Sequence, residues 1–236
     1  MAAIRSHGVG VRFCFDKHYR VVSPSLSRLR SKTTEVWGLR RVAFSIGPGE
    51  GVALLGATGA GKTTLLRTIA GVYAPDAGRL EVGGRVAALL STEAGLVPTL
   101  TGRENALLLG VLGGLTRAEA RAALGHARER SGLADAFERP VSSYSQGMRA
   151  RLAFSVLELT RPEIVLLDEI HEAVDHEFRD AVERRAHAVL AGGGIVVAAG
   201  HDHHLLGRLC KRALLLEKGE LSSTGAFSDV QREYLG

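Results

Sequence analysis

A glycine-rich segment between a predicted strand and a predicted helix constrains the fold of this chain more than any other feature. It reads GATGAGKT at 56–63 and fits the pattern G-x-x-x-x-G-K-[ST]. The preceding run GVALL at 51–55 is short and apolar, as in a buried strand. The following run KTTLLRTIAG at 62–71 has apolar residues at helical spacing and ends on glycine. This strand–loop–helix order is the context in which the pattern marks a phosphate-binding loop.

The chemistry of such a loop follows from its residue types. Glycines let backbone N–H groups curve inward around phosphate oxygens, and the N-terminus of the next helix adds partial positive charge. We predict that Lys62 reaches the β- and γ-phosphates and that the Thr63 hydroxyl binds Mg²⁺. The residues predicted to bind nucleotide in this segment are Gly56, Ala57, Thr58, Gly59, Ala60, Gly61, Lys62, Thr63 and Thr64.

A second motif, IVLLDE at 164–169, combines a buried strand with two carboxylates. In an open α/β sheet, ligands bind beyond the carboxyl ends of the strands, where these two acids lie. Asp168 is suited to hold Mg²⁺ through water, and Glu169 is suited to position or deprotonate the attacking water. The two motifs together indicate a P-loop nucleotide hydrolase, with Lys62 and Glu169 among its catalytic residues.

The rest of the chain alternates strand patterns with helix patterns, which predicts a mainly parallel sheet with helices on its faces. The stretch 101–160 is mostly helical and has two Thr-x-x-Glu starts, at 101–104 and 116–119, that resemble capping boxes. The segment 23–34 is polar, serine-rich and basic, as in a loop. Further strands are predicted at 9–15, 42–46, 163–167, 194–199 and 213–217, and an amphipathic helix at 175–189.

Charge and composition restrict the partners and the compartment. The 236 residues carry a net charge of +5, and most of the excess lies in the first 41 residues. Such a basic end can meet nucleic acid, anionic lipid headgroups or an acidic partner, or can be a solvated face. The apolar run 188–200 is shorter than the roughly 20 residues that a membrane helix needs. Two cysteines are typical of a reducing compartment, so we expect a cytoplasmic chain without a membrane span.

The segment YSQGM at 144–148 resembles the signature of ATP-binding-cassette proteins, usually written LSGGQ. Ser145 and Gly147 match it, while Tyr144, Gln146 and Met148 depart from it.

Two further positions support the same resemblance. His201, after the apolar strand IVVAA, looks like the switch histidine that contacts the γ-phosphate in that family. Its neighbours His203 and His204 are predicted to be solvated. Asp175 looks like the aspartate that faces the partner cassette, and it is also a candidate N-cap of the following helix.

Four segments are similar to the ATPase subunits of polysaccharide exporters, which move O-antigen, capsule or teichoic acid. They are GRVAALL at 84–90, P-x-LTGREN at 98–105, YSxGMxxRLAFS at 144–155, and LC-x5-L-x2-G at 209–219 followed by Tyr234.

This resemblance implies a fold and a domain plan. The fold is an α/β P-loop NTPase with a mainly parallel, RecA-like core sheet, an N-terminal antiparallel β portion and a helical subdomain. A single nucleotide-binding domain then covers 1–236, with the core at about 1–93 and 155–236 and the helical subdomain at about 94–154.

The resemblance also implies ATP and Mg²⁺ as ligands and a polytopic transmembrane permease as partner. Two copies would form an ATP-sandwich homodimer, in which the phosphate loop of one copy faces Ser145 and Gly147 of the other. The protein is then peripheral, at the cytoplasmic face of the bacterial inner membrane, and no nucleic-acid partner is expected. The basic N-terminal segment would face lipid headgroups or the permease.

Two positions depart from the cassette pattern. The usual glutamine after the strand that follows the phosphate-loop helix is absent, and Thr92 or Glu93 is the candidate to replace it. The aromatic residue that stacks on adenine is predicted to be Phe13, with Phe15 and Tyr19 as alternatives, and core packing is the other interpretation of all three.

Other functions stay open at this point. The same ATPase could move a lipid or a drug, act on nucleic acid or the ribosome, or serve as a non-enzymatic regulatory cassette. Ribosome-associated relatives typically have two cassettes or a long coiled-coil insertion, and neither is present in these 236 residues. Intact Lys62, Asp168, Glu169 and His201 favour hydrolysis over a purely regulatory role.

Overall fold

Two β-sheets and eight α-helices make up the part of the chain that the computed structural model describes, residues 2–16, 33–90, 95–168 and 176–236. The strands are β1 (Ala3–Asp16), β2 (Thr33–Ile46), β3 (Gly51–Leu55), β4 (Ala77–Gly83), β5 (Val86–Leu89), β6 (Ile164–Asp168), β7 (Ile195–Ala199), β8 (Arg212–Glu217) and β9 (Glu220–Ala226). The helices are α1 (Lys62–Ile69), α2 (Gly102–Leu112), α3 (Arg117–Ala122), α4 (Leu124–Ser131), α5 (Gln146–Thr160), α6 (His176–Ala191), α7 (His203–Leu209) and α8 (Phe227–Leu235).

The larger sheet has the order β5-β6-β7-β3-β8-β9 and is parallel except for β9. The predicted apolar strands are confirmed, because β3, β6 and β7 are buried along their whole length. Strand β3 lies between β7 and β8, with Ala53 opposite Ala198 and Ala213. The segment that follows β3 therefore leaves the sheet at its centre.

Both faces of this sheet are covered, which explains why its strands are uniformly apolar. Val52 and Leu54 pack on one side with α1 and the antiparallel sheet. Ala53 and Leu55 pack on the other side with apolar residues of α5, α6, α7 and α8. Each buried Val or Leu contributes about 1.5–3 kcal/mol. The three layers hold the carboxyl edge of the parallel strands in place.

The smaller sheet is antiparallel, with the order β2-β1-β4. Strand β2 begins at Thr33, so the prediction of a strand only from residue 42 was wrong. Residues 33–39 extend it because they pair with the end of β1, where Phe13 lies opposite Val36. The Arg12 guanidinium strengthens this pairing through Glu35, at 3.0 Å.

A third hydrophobic cluster lies among the helices α2 to α5, around the fully buried Phe137. Both predicted capping boxes are confirmed, at Thr101 with Glu104 and at Thr116 with Glu119. Asn105 is fully buried and its side chain accepts a hydrogen bond from Val97 N at 2.7 Å. These contacts give the helical part its own core.

No helix of the described residues is long and apolar enough to cross a bilayer.

The two cysteines are predicted to differ sharply in reactivity. Cys14 is exposed, whereas Cys210 is buried and its burial raises its thiol pKa from 9.0 to about 12. Because the thiolate is the reactive form, one thiol per folded chain should react quickly with Ellman's reagent at pH 8, and the second only after unfolding. Cys14→Ser should abolish the fast reaction and Cys210→Ser should leave it. Two fast thiols in the folded protein would contradict this packing.

Candidate nucleotide-binding site

The phosphate loop joins β3 to α1 and needs glycine at three places. Gly56, Gly59 and Gly61 have φ of 140°, 82° and 109°, a region that side chains with a Cβ disfavour. A Cβ on Gly56 would lie 2.3 Å from the carbonyl oxygen of Leu216, and one on Gly61 would lie 2.8 Å from that of Gly38. The glycines thus serve both the curvature of the loop and its close contact with neighbouring strands.

Lys62 is the first residue of α1 and lies against the loop. Its side chain is buried, and Nζ donates hydrogen bonds to the carbonyl oxygens of Gly56 at 2.6 Å and Ala57 at 3.1 Å. Thr63 and Thr64 follow in the first turn of the helix, where the unpaired N–H groups and the helix dipole favour an anion. The loop, its ammonium group and the helix start therefore meet at one place.

Asp168 ends β6 and is 5% exposed. The exposed His201 follows the end of β7, which lies between β6 and β3 in the sheet. Because these strands are parallel, Lys62, Asp168 and His201 lie at the same carboxyl edge of the sheet. The predicted residues Thr92, Glu93, Glu169, Asp175 and Tyr19 lie outside the described part of the chain.

The signature-like segment starts the 15-residue helix α5. Tyr144 is buried, its hydroxyl donates to the carbonyl oxygen of Ala136 at 2.7 Å, and burial raises the pKa of Tyr144. Ser145 is the N-cap and accepts a hydrogen bond from Met148 N at 3.2 Å. Ser145 is exposed and Gly147 is half-buried in the first turn. The segment thus presents hydroxyl and backbone donors to solvent at a helix start.

A cavity of about 1170 Å³ borders the phosphate loop. Its lining includes Gly56–Ala60 of the loop, Trp37 and Arg40 of β2, the end of β8, and Tyr234 of α8. Trp37 was not predicted as a site residue from the sequence. The one signal that marks it is that it is the single tryptophan of the chain. For Tyr234, the sequence signal was the resemblance of the segment that it follows to polysaccharide exporters.

The prediction for Phe13 stays a prediction. The Phe13 ring is half-buried and packs edge-on against Tyr73, with centroids 5.4 Å apart. It lies near the start of α1, since a Cβ on Gly38 would touch both Phe13 and Thr64. This place satisfies the core-packing interpretation and keeps the ring beside the phosphate-loop helix. The side chain of Phe15 lies outside the described residues.

His203 is half-buried, so its prediction as a solvated residue was wrong. Its ring stacks on Tyr234 with centroids 5.7 Å apart and planes at 23°. The sequence around residue 203 holds no sign of this contact, because the partner lies on a distant helix. His204 is exposed, as predicted, and lies 3.0 Å from Arg208 Nη1.

The donor set at the sheet edge fits magnesium. The Thr63 hydroxyl and the Asp168 carboxylate offer oxygen atoms, the type of ligand that Mg²⁺ prefers, and α1 contacts β6. Among the described residues, no cluster of three or more His, Cys, Asp or Glu side chains could hold a metal ion. Mg²⁺ bound through one or two protein oxygens together with phosphate and water suits such a sparse set.

Comparison with protein families and relatives gives a consistent result. Residues 39–172 match the family model described as ABC transporter. The O-antigen export system ATP-binding protein RfbE of Yersinia enterocolitica is 38% identical over 190 residues, 80% of each chain.

Two further relatives match over less than half of their own length. RfbB of Myxococcus xanthus, also an O-antigen export ATP-binding protein, is 36% identical over 84% of this chain and 46% of its own. The teichoic acids export ATP-binding protein TagH of Lactococcus lactis is 34% identical over 85% of this chain and 43% of its own.

Solved structures share the fold. The dimeric ATP-binding cassette MJ0796 bound to ADP and Pi superposes with a TM-score of 0.75 at 19% identity, over 95% of this chain and 98% of that one. An ATP-binding subunit of an ABC transporter gives a TM-score of 0.73 at 22% identity, over 98% and 92%.

The two alanine variants of the phosphate loop should separate backbone strain from steric clash. Gly59→Ala places a Cβ in open space, so it should cost about 1–2 kcal/mol of unfolding free energy from the positive φ alone. Gly61→Ala adds the contact with Gly38 and should cost about 2–4 kcal/mol. Urea unfolding without nucleotide measures both; equal losses would show that the close contact is unimportant.

Proposed function

The chain belongs to the ABC transporter family, and we propose that it is the ATP-hydrolysing subunit of a membrane exporter of lipid-linked polysaccharide. The polysaccharide is of the O-antigen, capsule or teichoic acid type. As a member of this family it is an ATPase. The proposed substrate class is based on the 38% identity to the O-antigen export ATP-binding protein of Yersinia enterocolitica, over 80% of both chains.

In this proposal the phosphate loop binds ATP through its inward N–H groups and the N-terminus of α1. Lys62 exchanges its hydrogen bonds with the Gly56 and Ala57 carbonyl oxygens for the β- and γ-phosphates. Thr63 and Asp168 hold Mg²⁺, which neutralises charge on the phosphates when bound. The base and ribose extend from the loop toward the predicted Phe13, which lies near Thr64 at the start of α1.

Hydrolysis needs a positioned water and a contact to the leaving phosphate. Glu169 follows Asp168 directly and orients or deprotonates the attacking water. His201 approaches the γ-phosphate from the end of β7. The parallel order of β6, β7 and β3 supports these roles, since it directs the three segments to one sheet edge.

A second copy of the chain completes each site. Ser145 and Gly147 of one copy face the phosphate loop of the other, and Asp175 faces the partner. The exposed N-cap residue Ser145 and its place at the N-terminus of α5 support this role, because such a helix start favours an anion. ATP then stabilises the dimer and hydrolysis releases it, since a ligand shared by both copies favours association.

The helical subdomain at about 94–154 docks a polytopic permease, and the core at about 1–93 and 155–236 binds nucleotide. The separate hydrophobic cluster around Phe137 supports this division. The protein is then peripheral, at the cytoplasmic face of the bacterial inner membrane, without a nucleic-acid partner.

Glu169→Gln tests the catalytic assignment. The variant should bind ATP and form a dimer, yet hydrolyse about 10²–10⁴-fold more slowly, because the amide cannot act as a base. The matched control is Glu177→Gln, the same exchange at an exposed position of α6, which should keep full activity. Hydrolysis is measured as phosphate release, and mass by light scattering after size exclusion. A Glu169→Gln variant that stays monomeric in saturating Mg-ATP would exclude the sandwich for the isolated subunit.

Affinity purification from native membranes tests the exporter assignment. A stoichiometric polytopic membrane protein with bound glycan lipid is expected. Leu112 is an exposed apolar residue at the end of α2. The Leu112→Glu variant should no longer co-purify with the membrane protein but should keep its ATPase activity. Val72→Glu is the control, since Val72 is exposed but lies in the core part. Recovery of RNA or a ribosomal protein in place of a permease would favour the nucleic-acid-associated class.

A further inference from the structure

Tyr234 of helix α8 lies between the cavity beside the phosphate loop and the start of α7. Tyr234 lines the cavity beside the phosphate loop, together with Gly56–Ala60 and the end of β8. The same ring stacks on His203, the first residue of α7. Tyr234 therefore connects the nucleotide cavity with the segment that follows β7.

The position of Tyr234 is well defined by packing. Phe227 and Val230 of α8 are buried in the core cluster on the helical face of the sheet, and Tyr234 packs against that cluster. Gln231, one turn before Tyr234, lies on the same side of the helix. Its Nε2 is 3.2 Å from His203 Nδ1. Two residues of α8 thus hold one imidazole ring.

His203 in turn holds the segment that carries His201. The His203 N–H donates to the His201 carbonyl oxygen at 3.1 Å. Asp202 between them caps α7 by accepting from Leu205 N at 2.9 Å. Because these bonds link residues 201–205 closely, a displacement of the His203 backbone would shift the turn at 200–202. The stack on Tyr234 opposes such a displacement.

We propose that Tyr234 is a positioning residue for His201: through its stack on His203, it holds the switch segment at the γ-phosphate. This inference rests on the proposed function, because it assigns Tyr234 a role in the same ATP site. It also makes α8 a part of the catalytic unit, since displacement of α8 would slow hydrolysis although α8 holds none of the residues assigned to the phosphates or Mg²⁺.

The aromatic ring of Tyr234 makes the contact with His203. Aromatic pairs contribute about 0.5–1.5 kcal/mol, which corresponds to roughly 2- to 13-fold in a rate. Tyr234→Ala should therefore lower kcat about 3- to 10-fold with KM for Mg-ATP nearly unchanged, and Tyr234→Phe should restore kcat to within about twofold. His203→Ala should have the same effect as Tyr234→Ala.

A double-mutant cycle with the whole chain tests the stack. If the two rings act together, the double variant His203→Ala/Tyr234→Ala should lose no more activity than either single variant. Leu235→Ala is the matched control, since Leu235 is exposed on the same helix. Far-UV circular dichroism checks the fold of each variant, and His203→Ala provides the test should Tyr234→Ala fail to fold.

Trp37 gives an independent measure of nucleotide binding. It is the single tryptophan and it lines the same cavity, so its fluorescence should change on addition of ADP or ATP in all variants. An unchanged kcat in Tyr234→Ala, or additive losses in the double variant, would overturn the proposal. A raised KM with unchanged kcat would also overturn it, because Tyr234 would then bind nucleotide directly.

The failure of this inference is distinguishable from failure of the proposed function. A wild-type chain that hydrolyses ATP, with a Tyr234→Ala variant of equal kcat, refutes the positioning role alone. A wild-type chain that neither hydrolyses ATP nor changes Trp37 fluorescence with nucleotide refutes both.

Discussion

The close backbone contact of the phosphate loop with two neighbouring strands is the constraint on which the rest of the site depends. Gly61 lies against β2 and Gly56 against β8, at distances that leave no room for a Cβ. Gly219, at the β8–β9 turn, donates to the Ala60 carbonyl oxygen at 2.9 Å and accepts from Arg40 N at 2.7 Å. These bonds tie the antiparallel sheet to the core sheet through the loop. They also form the cavity that the loop borders.

The parallel sheet converts separate sequence motifs into one chemical site. Strands β6, β7 and β3 are adjacent and point the same way, so the residues after each strand meet at one edge. The cover on both faces keeps water from the strands and prevents a shift in register. Helix α8 adds to this arrangement from the side, because its buried Phe227 and Val230 fix the helix against the same sheet.

Local signals in the sequence predicted local structure well. The apolar runs of β3, β6 and β7 and both Thr-x-x-Glu caps are confirmed, because each depends on residues only a few positions apart. The start of β2 was predicted too late, since residues 33–39 acquire strand geometry by pairing with β1. His203 was predicted as solvated, since its partner Tyr234 lies on another helix.

A strand–loop–helix phosphate site, an acidic strand end and a cassette-type signature at a helix start can all be read from the amino-acid sequence. These are properties of residue type and spacing, and the glycines of the loop leave few other conformations. Two features follow from the folded chain alone: Trp37 and Tyr234 border the same cavity, and Lys62 donates hydrogen bonds to the carbonyl oxygens of its own loop. Such contacts join residues from distant elements, and packing of the sheets and helices brings them together.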